Sequence, residues 1–361
     1  MGIVCYASAM ASVIRFYKPA LYRKDMDAVL QTMVDERIGP GERKKDFLKA
    51  MAAFLGKKDG IALRSYLDAI VGSLTALGAG DGDSVLISVL SPMVYLEAFR
   101  RLGVNAVLVD TDQYGLMSVD DALRKLDGSV KAVLYFEPVC QVPVAFDDVR
   151  NLGLPVIEDV SQSLGSYYGD KEDRQGEFYA AGEGGDITIS SLEEEGVIST
   201  GGGAVAVTSN IEYSDKLKRW TGKGDGYLDL PDMNAALGIV QLAKIDTLLS
   251  RRRNIYQMYQ QAQMKSETKL FGSASPLFSA NGWGFSVVAN SRPDDTIEFA
   301  VKHGVSCQRT FTRSVGLRYQ DRYDLYPVAT AFIARALSFP LYPFLSKTDL
   351  ESVQRVISHL V

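Results

Sequence analysis

Along the first half of this 361-residue chain, apolar positions alternate between two spacings. Residues 59–63, 84–89, 106–109, 131–136 and 156–157 are short runs of strand type. Between them, residues 66–77, 93–102, 119–126 and 146–151 repeat at the three-to-four spacing of helices, and Ser65 stands where it can cap the first. Ahead of these, 25–34 is periodic, Ile38-Gly39-Pro40-Gly41 interrupts it, and 47–55 forms an amphipathic helix that stops at Gly56. Strands alternating with helices across short links predict an α/β fold with a doubly wound, mostly parallel sheet. Ligands in such sheets sit beyond the carboxyl ends of the strands, and Asp110 and Glu158-Asp159 stand at such ends.

Residues 185–207 read as a strand, a polar turn, a short apolar run, a glycine cluster and a second strand. The pattern then turns helical at 212–220, passes through TGKGDG at 221–226, and continues as one long helix from 231 to about 259. The weakly patterned 260–280 leads into a second unit, with a strand at 285–289 and a helix at 294–303; 334–341 and 349–358 close the chain. This organisation predicts a large domain over 12–248 and a smaller α+β domain over 249–361.

Composition narrows the function classes. The chain is 47% apolar and 23% charged, which is ordinary for a soluble globular protein, and no run approaches the ~18 apolar residues of a membrane span. A net charge of −5 gives no electrostatic basis for nucleic-acid binding. Three scattered cysteines (Cys5, Cys140, Cys307) and two histidines supply neither a disulfide framework, nor metal-ligand spacing, nor a Ser-His-Asp triad. The opening MGIVCYASAMASVI lacks the basic region of a secretory signal, and Tyr6 stands where a myristoylation signal needs Ser or Thr; the expectation is a cytoplasmic protein with a loose start.

Four stretches, RFYKPALYRKDMDAVLQTMVDERIGPG, VIEDVSQSLG, NAALGIVQLAKIDTLLSRRR and ALSFPLYPFLSKTDLESV, occur in an order and spacing that resemble the DegT/DnrJ/EryC1/StrS sugar aminotransferases. The resemblance implies the fold-type-I architecture of pyridoxal-phosphate enzymes, nucleotide-sugar ligands, and a homodimer in which each site is completed by the partner subunit. It implies roles for single residues as well. Asp159 matches the aspartate that keeps the cofactor's pyridine nitrogen protonated, so that the ring acts as an electron sink. Gln162 matches the glutamine beside the ring hydroxyl, and Ser191 a serine that contacts the phosphate. From local sequence alone, Asp159 reads rather as a strand-end carboxylate capping a helix, and Ser191 equally as an ordinary turn hydroxyl.

The same comparison exposes departures. Aligned through Ile198 and Thr200-Gly201, the Schiff-base lysine falls on Gly196, and no lysine occurs between Lys171 and Lys216. Glycine can neither hold the aldehyde nor shuttle a proton. The phosphate cup falls on Ser65-Tyr66-Leu67, with Ser65 retained and Tyr66 adding bulk where the family has glycine. The asparagine that crosses the dimer falls near Tyr227 and a neighbouring arginine near Asp229, a charge reversal. Glu193, Glu194 and Glu195 precede Gly196; at ~4 Å and an effective dielectric of about 20, each would repel a phosphate charge by about 4 kcal/mol, unless they form a solvated turn. Lys223, in the glycine-rich loop, is the substitute amine to consider, against a plain solvated lysine. Arg309, Arg313 and Arg318 are candidates to grip phosphate groups, against ordinary surface charge. The expectation is a homodimer with no covalently bound cofactor and no lysine-aldimine transamination, either non-catalytic or binding a nucleotide sugar or other small anion. The alternative is a sugar-modifying enzyme that uses Lys223 or holds pyridoxal or pyridoxamine phosphate non-covalently.

Overall fold

The computed structural model describes residues 13–172 and 178–361; the N-terminal stretch through residue 12, with Cys5, lies outside the described residues. The first half alternates as α1 (Arg23–Val34), α2 (Glu42–Phe54), β1 (Asp59–Leu63), α3 (Tyr66–Leu77), β2 (Ser84–Ser88), α4 (Val94–Leu102), β3 (Asn105–Val109), α5 (Val119–Lys125), β4 (Val130–Phe136), α6 (Asp147–Arg150) and β5 (Val156–Asp159). Two-residue strands β6 (Tyr167–Tyr168) and β7 (Tyr179–Ala180) precede β8 (Ile187–Ser191) and β9 (Ala204–Thr208). Helices α7 (Ile211–Gly222), α8 (Asp232–Leu242) and α9 (Ile245–Gln263) follow. The chain ends through β10 (Lys269–Leu270), β11 (Phe278–Ser279), β12 (Phe285–Val288), α10 (Pro293–Lys302), β13 (Gln308–Arg309), α11 (Pro327–Arg335), β14 (Ala336–Phe339) and α12 (Lys347–Ser358).

The large sheet runs β1-β9-β8-β5-β4-β2-β3. All its pairings are parallel except those of β9, which is antiparallel to both β8 and β1. Because successive side chains point to opposite faces, β4 feeds both layers: Ala132, Leu134 and Phe136 join the core under α3 and α4, while Val133 and Tyr135 join the core beneath α2. Burial on both faces is why β2 and β4 read as continuous apolar runs rather than as alternating ones.

A third core lies between α9, α12 and the antiparallel sheet β10-β12-β14-β13. Helix α9 carries the chain from one core to the other, with Ile245 and Leu249 in the large core and Ile255, Tyr256 and Tyr259 in the small one. The expected boundary between 248 and 249 falls inside this helix. The expected single helix from 231 is instead α8 and α9, broken at Ala243-Lys244, where Lys244 leaves helical geometry (φ −115°, ψ 11°). Side chains flanking the break are held elsewhere: Gln241 pairs with both backbone groups of Ser199, and the Lys244 ammonium meets the buried Asp25 at 3.2 Å. Trp283 packs against all three cores, and Trp220 lies over Gly72, where a Cβ would stand 2.9 Å from its ring; both tryptophans are packing residues.

Helix α1 inverts the usual pattern. Its buried residues are Asp25 and Thr32, while Met26, Leu30, Met33 and Val34 face outward at 54%, 56%, 54% and 75% exposure.

Candidate functional site at the carboxyl end of β5

Asp159 ends β5 at the centre of the large sheet, fully buried. One carboxylate oxygen accepts from Ser161 twice, from the hydroxyl at 2.5 Å and the backbone N–H at 3.0 Å. The other accepts hydrogen bonds from the hydroxyls of Tyr66 and Tyr95. An ionised carboxylate offers about four acceptor positions, and four donors meet this one. Burial raises the Asp159 pKa, and the donors from Ser161, Tyr66 and Tyr95 work against that rise. Burial, then the Asp159 charge, drives both phenols far above their ordinary range, so they stay protonated and donate.

Each tyrosine is aimed by its helix. Tyr66 is the first residue of α3, and its ring remains partly exposed while its hydroxyl reaches Asp159. Tyr95 lies in the first turn of α4, fully buried and edge-on to Phe136 at 6.4 Å. Ser161 bridges onward: its hydroxyl accepts the backbone N–H of Ser191 at 2.9 Å, tying the end of β5 to the end of β8.

Gln162 faces the loop after β4. Its side-chain oxygen accepts the Val139 N–H at 2.8 Å, and its carbonyl accepts from Cys140 and from the Asn281 amide. Val139 and Cys140 have φ of +45° and +70°, a strained conformation for a β-branched residue, and Gln162 helps hold it. Ser65 is the N-cap of α3: its hydroxyl accepts the Asp68 N–H at 3.0 Å and donates to the Asp68 carboxylate at 2.9 Å. The positive end of α3 therefore already holds a carboxylate, which Arg101 approaches at 3.5 Å.

Gly196 closes a tight turn, its N–H donating to the Glu193 carbonyl at 3.0 Å. A Cβ there would stand 2.5 Å from the Ile198 carbonyl oxygen and 3.1 Å from that of Glu193, so the backbone leaves no room for a side chain. Glu193, Glu194 and Glu195 are exposed, the solvated-turn arrangement, with Tyr17 donating to the Glu194 carbonyl. Ser191 serves the same turn, its hydroxyl accepting the Glu193 N–H at 3.2 Å.

The chain's full-length likenesses bear on this site. The profile of the DegT/DnrJ/EryC1/StrS aminotransferase family matches residues 19–361. The chain belongs to that family. Among its relatives is the spore coat polysaccharide biosynthesis protein SpsC of Bacillus subtilis, 24% identical over 388 aligned residues that cover 95% of this chain and 96% of SpsC. GDP-perosamine synthase of Escherichia coli O157:H7 is 26% identical over 301 residues, covering 77% of this chain and 79% of the synthase. A putative sugar aminotransferase from Streptococcus pneumoniae, Spr1654, solved in its PMP form, superposes with a TM-score of 0.86 at 18% identity, over 96% of this chain and 97% of Spr1654. The aminotransferase TlmJ of Streptoalloteichus hindustanus gives 0.85 at 22% identity, over 96% and 98%. The fold is therefore that of the pyridoxal-phosphate sugar aminotransferases.

In this DegT/DnrJ/EryC1/StrS chain the cradle around Asp159 is occupied by the chain's own donors. A ring nitrogen approaching Asp159 meets a carboxylate whose acceptor positions are filled, and the phenol of Tyr66 has entered from the cup side to fill one of them. Asp159, Gln162 and Ser191 are brought together with Ser161; Ser65 is engaged in capping. Lys223 is the exposed C-cap of α7; among the described residues it makes no ion pair, and no lysine hydrogen-bonds to Asp159. The charge reversal at Asp229 is neutralised within the chain by Lys44 at 2.6 Å. Asp110, the other strand-end acid, caps α11 by accepting the N–H groups of Val328 and Ala329 at 3.1 and 2.8 Å. Arg309 is tied to Asp294 and the Ala334 carbonyl, whereas Arg313 and Arg318 are exposed. Tyr95 is the residue that the sequence pattern gave no means of finding; Ser161 lay inside VIEDVSQSLG without any role of its own.

Proposed function

We propose that this chain is a non-catalytic member of its family, a homodimer that keeps the aminotransferase fold and has closed the cofactor site with its own side chains. The observation that carries this is the saturated Asp159, held by Tyr66, Tyr95 and Ser161. Gly196, at the position aligned with the lysine, adds to it, because its turn excludes a side chain. Mixing the purified protein with pyridoxal phosphate is expected to give no aldimine absorbance band, and no mass adduct after borohydride reduction. One stoichiometric adduct at a single lysine, Lys223 included, would overturn the proposal.

The dimer rests on α1. An exposed stripe of Met26, Leu30, Met33 and Val34 over buried Asp25 and Thr32 is the pattern of a helix whose apolar side faces another molecule, and we take that molecule to be a second copy of this chain. For a small anion such as a nucleotide sugar, we favour the open groove of ≈ 540 Å³ next to the cap of α3. Arg64, Lys44, Lys45 and the 81% exposed ring of Tyr227 line it. Lys44 and Lys45 are already paired with Asp229 and Glu42, leaving Arg64 as the cation available to a ligand. A thermal-shift series with nucleotide sugars tests this; stabilisation lost in Arg64→Ala supports it, and uniform lack of stabilisation refutes it.

A further inference from the structure

On the opposite face of β5 from the Asp159 carboxylate, two more acids are buried together: Glu158, and Glu137 just beyond the end of β4, both with no exposed surface. Glu158 is well supplied with donors. It accepts the N–H groups of Gly182 and Gly185, each at 2.6 Å, and the hydroxyl of Tyr179. Glu137 accepts one hydroxyl, that of Ser163, and its other oxygen lies 3.5 Å from the same Tyr179 hydroxyl. Tyr179 is locked between them by packing, stacked on Phe146 with ring centroids 5.4 Å apart, and Phe146 in turn meets Tyr135 edge-on.

The donor count decides where the charge sits. Tyr179 has a single proton, which it gives to Glu158, so among the described residues Ser163 alone supports a negative charge on Glu137. A protonated Glu137 resolves this, because its own O–H then points at the Tyr179 oxygen. We propose that Glu137 and Glu158 hold one proton between them, on Glu137, and that this proton latches the 179–185 loop and the turn at 160–163 to the carboxyl end of the sheet, forming an alkaline-sensitive floor beneath the candidate site.

The surroundings agree. Burial first, then the Glu158 charge, pushes the Glu137 pKa well up; Asp159 adds to the rise, and Ser163 and Tyr179 oppose it. Burial also raises Glu158, against Tyr179, the two glycine N–H groups and the Lys57 ammonium. Among the described residues, the other charged or titratable groups facing the cluster are Tyr135 on β4, Asp112 behind Tyr135, and Lys57, whose amine donates to the Gly185 carbonyl at 2.7 Å with Arg150, Asp186 and Glu183 around it. None of these supplies a cation to Glu137 itself.

The sign follows from linkage. A carboxyl whose folded pKa is raised contributes stability that is full below its unfolded value of about 4.3 and is lost as pH rises through the folded value. Glutamine copies the protonated acid, donating to Tyr179 and accepting from Ser163, and does not titrate. Glu137→Gln in the full chain is therefore expected to gain Tm over wild type by a margin that widens between about pH 5.5 and about pH 8.5. It should also abolish the protonated-carboxyl C=O band in the infrared spectrum at neutral pH. Glu158→Gln, which turns an NH2 toward backbone donors, should lower Tm at both pH values. A margin independent of pH, or a band untouched by Glu137→Gln, overturns the proposal. Should Glu137→Gln fail to fold, wild type labelled with 13C-glutamate decides alone: a labelled C=O band at neutral pH that bleaches on raising pH supports the shared proton, and its absence refutes it.

Discussion

Tyr66→Phe isolates the contact on which the proposed closure of the site depends. The substitution keeps the ring and its packing at the start of α3, and removes one of four donors to a fully buried carboxylate. A hydrogen bond to a charged group contributes about 1.5–3 kcal/mol, and a buried acceptor left unmet costs about as much, so unfolding free energy should fall by about 1.5–3 kcal/mol at neutral pH. Phe places no polar atom near Asp159, so the loss is not recovered locally. With one opposing donor gone, burial raises the Asp159 pKa further than in wild type. A carboxyl with a raised folded pKa is most stabilising when protonated at low pH and loses that contribution as pH rises. The Tyr66→Phe deficit is therefore largest at neutral to alkaline pH and shrinks in acid, where Asp159 carries a proton in both proteins. Denaturant unfolding at several pH values measures this directly. A double-mutant cycle with Asp159→Asn separates the bond from any general effect of the hydroxyl. If Tyr66→Phe unfolds like wild type at every pH, or if the cycle shows no coupling, Tyr66 does not plug the site and the non-catalytic reading loses its main support.

Three further outcomes follow from other contacts. Leu30→Asp together with Met33→Asp should convert a dimer to a monomer in light scattering while changing the monomer's stability by no more than about 0.5 kcal/mol per site, because both side chains are already exposed. Gly196→Lys should not restore an aldimine band with pyridoxal phosphate; with a Cβ 2.5 Å from the Ile198 carbonyl it should destabilise the fold by about 1–3 kcal/mol, measured by denaturant melting. Asp110→Ala leaves the Val328 and Ala329 N–H groups without their cap and should cost about 1–2 kcal/mol, with faster amide exchange at the start of α11.

Periodicity made the sheet legible because β1 to β5 are separated by helices short enough to show their own spacing, and the Ser65 cap of α3 was visible as a residue type at a boundary. The α8–α9 break was not, since Ala243 and Lys244 are good helix formers, and what ends α8 is the pull of Gln241 and Lys244 toward distant partners. The inverted α1 was also hidden: an apolar repeat states that a helix has an apolar side, and only packing tells which side is inward. At the site, Asp159 and Gln162, close in sequence, could be read together, whereas Ser161 between them carried no role of its own. Tyr66 and Tyr95 come from two other helices and meet Asp159 across 93 and 64 positions of chain, a contact that no local pattern encodes.

That convergence connects substitutions that look unrelated along the chain. The family resemblance implies an aspartate at the position of Asp159 that faces a cationic ring. Remove the ring, and a buried carboxylate is left without a partner, a state that costs several kcal/mol unless donors replace it or the acid takes up a proton. Here donors replace it. Tyr66 stands where the resemblance implies the phosphate cup, and its hydroxyl donates to the same Asp159. The Asp68 carboxylate occupies the same helix end, bonded to the Ser65 cap. Under the proposed function, Gly196 and Tyr66 act together: without a tethered ring Asp159 needs a partner, and the Tyr66 phenol supplies one.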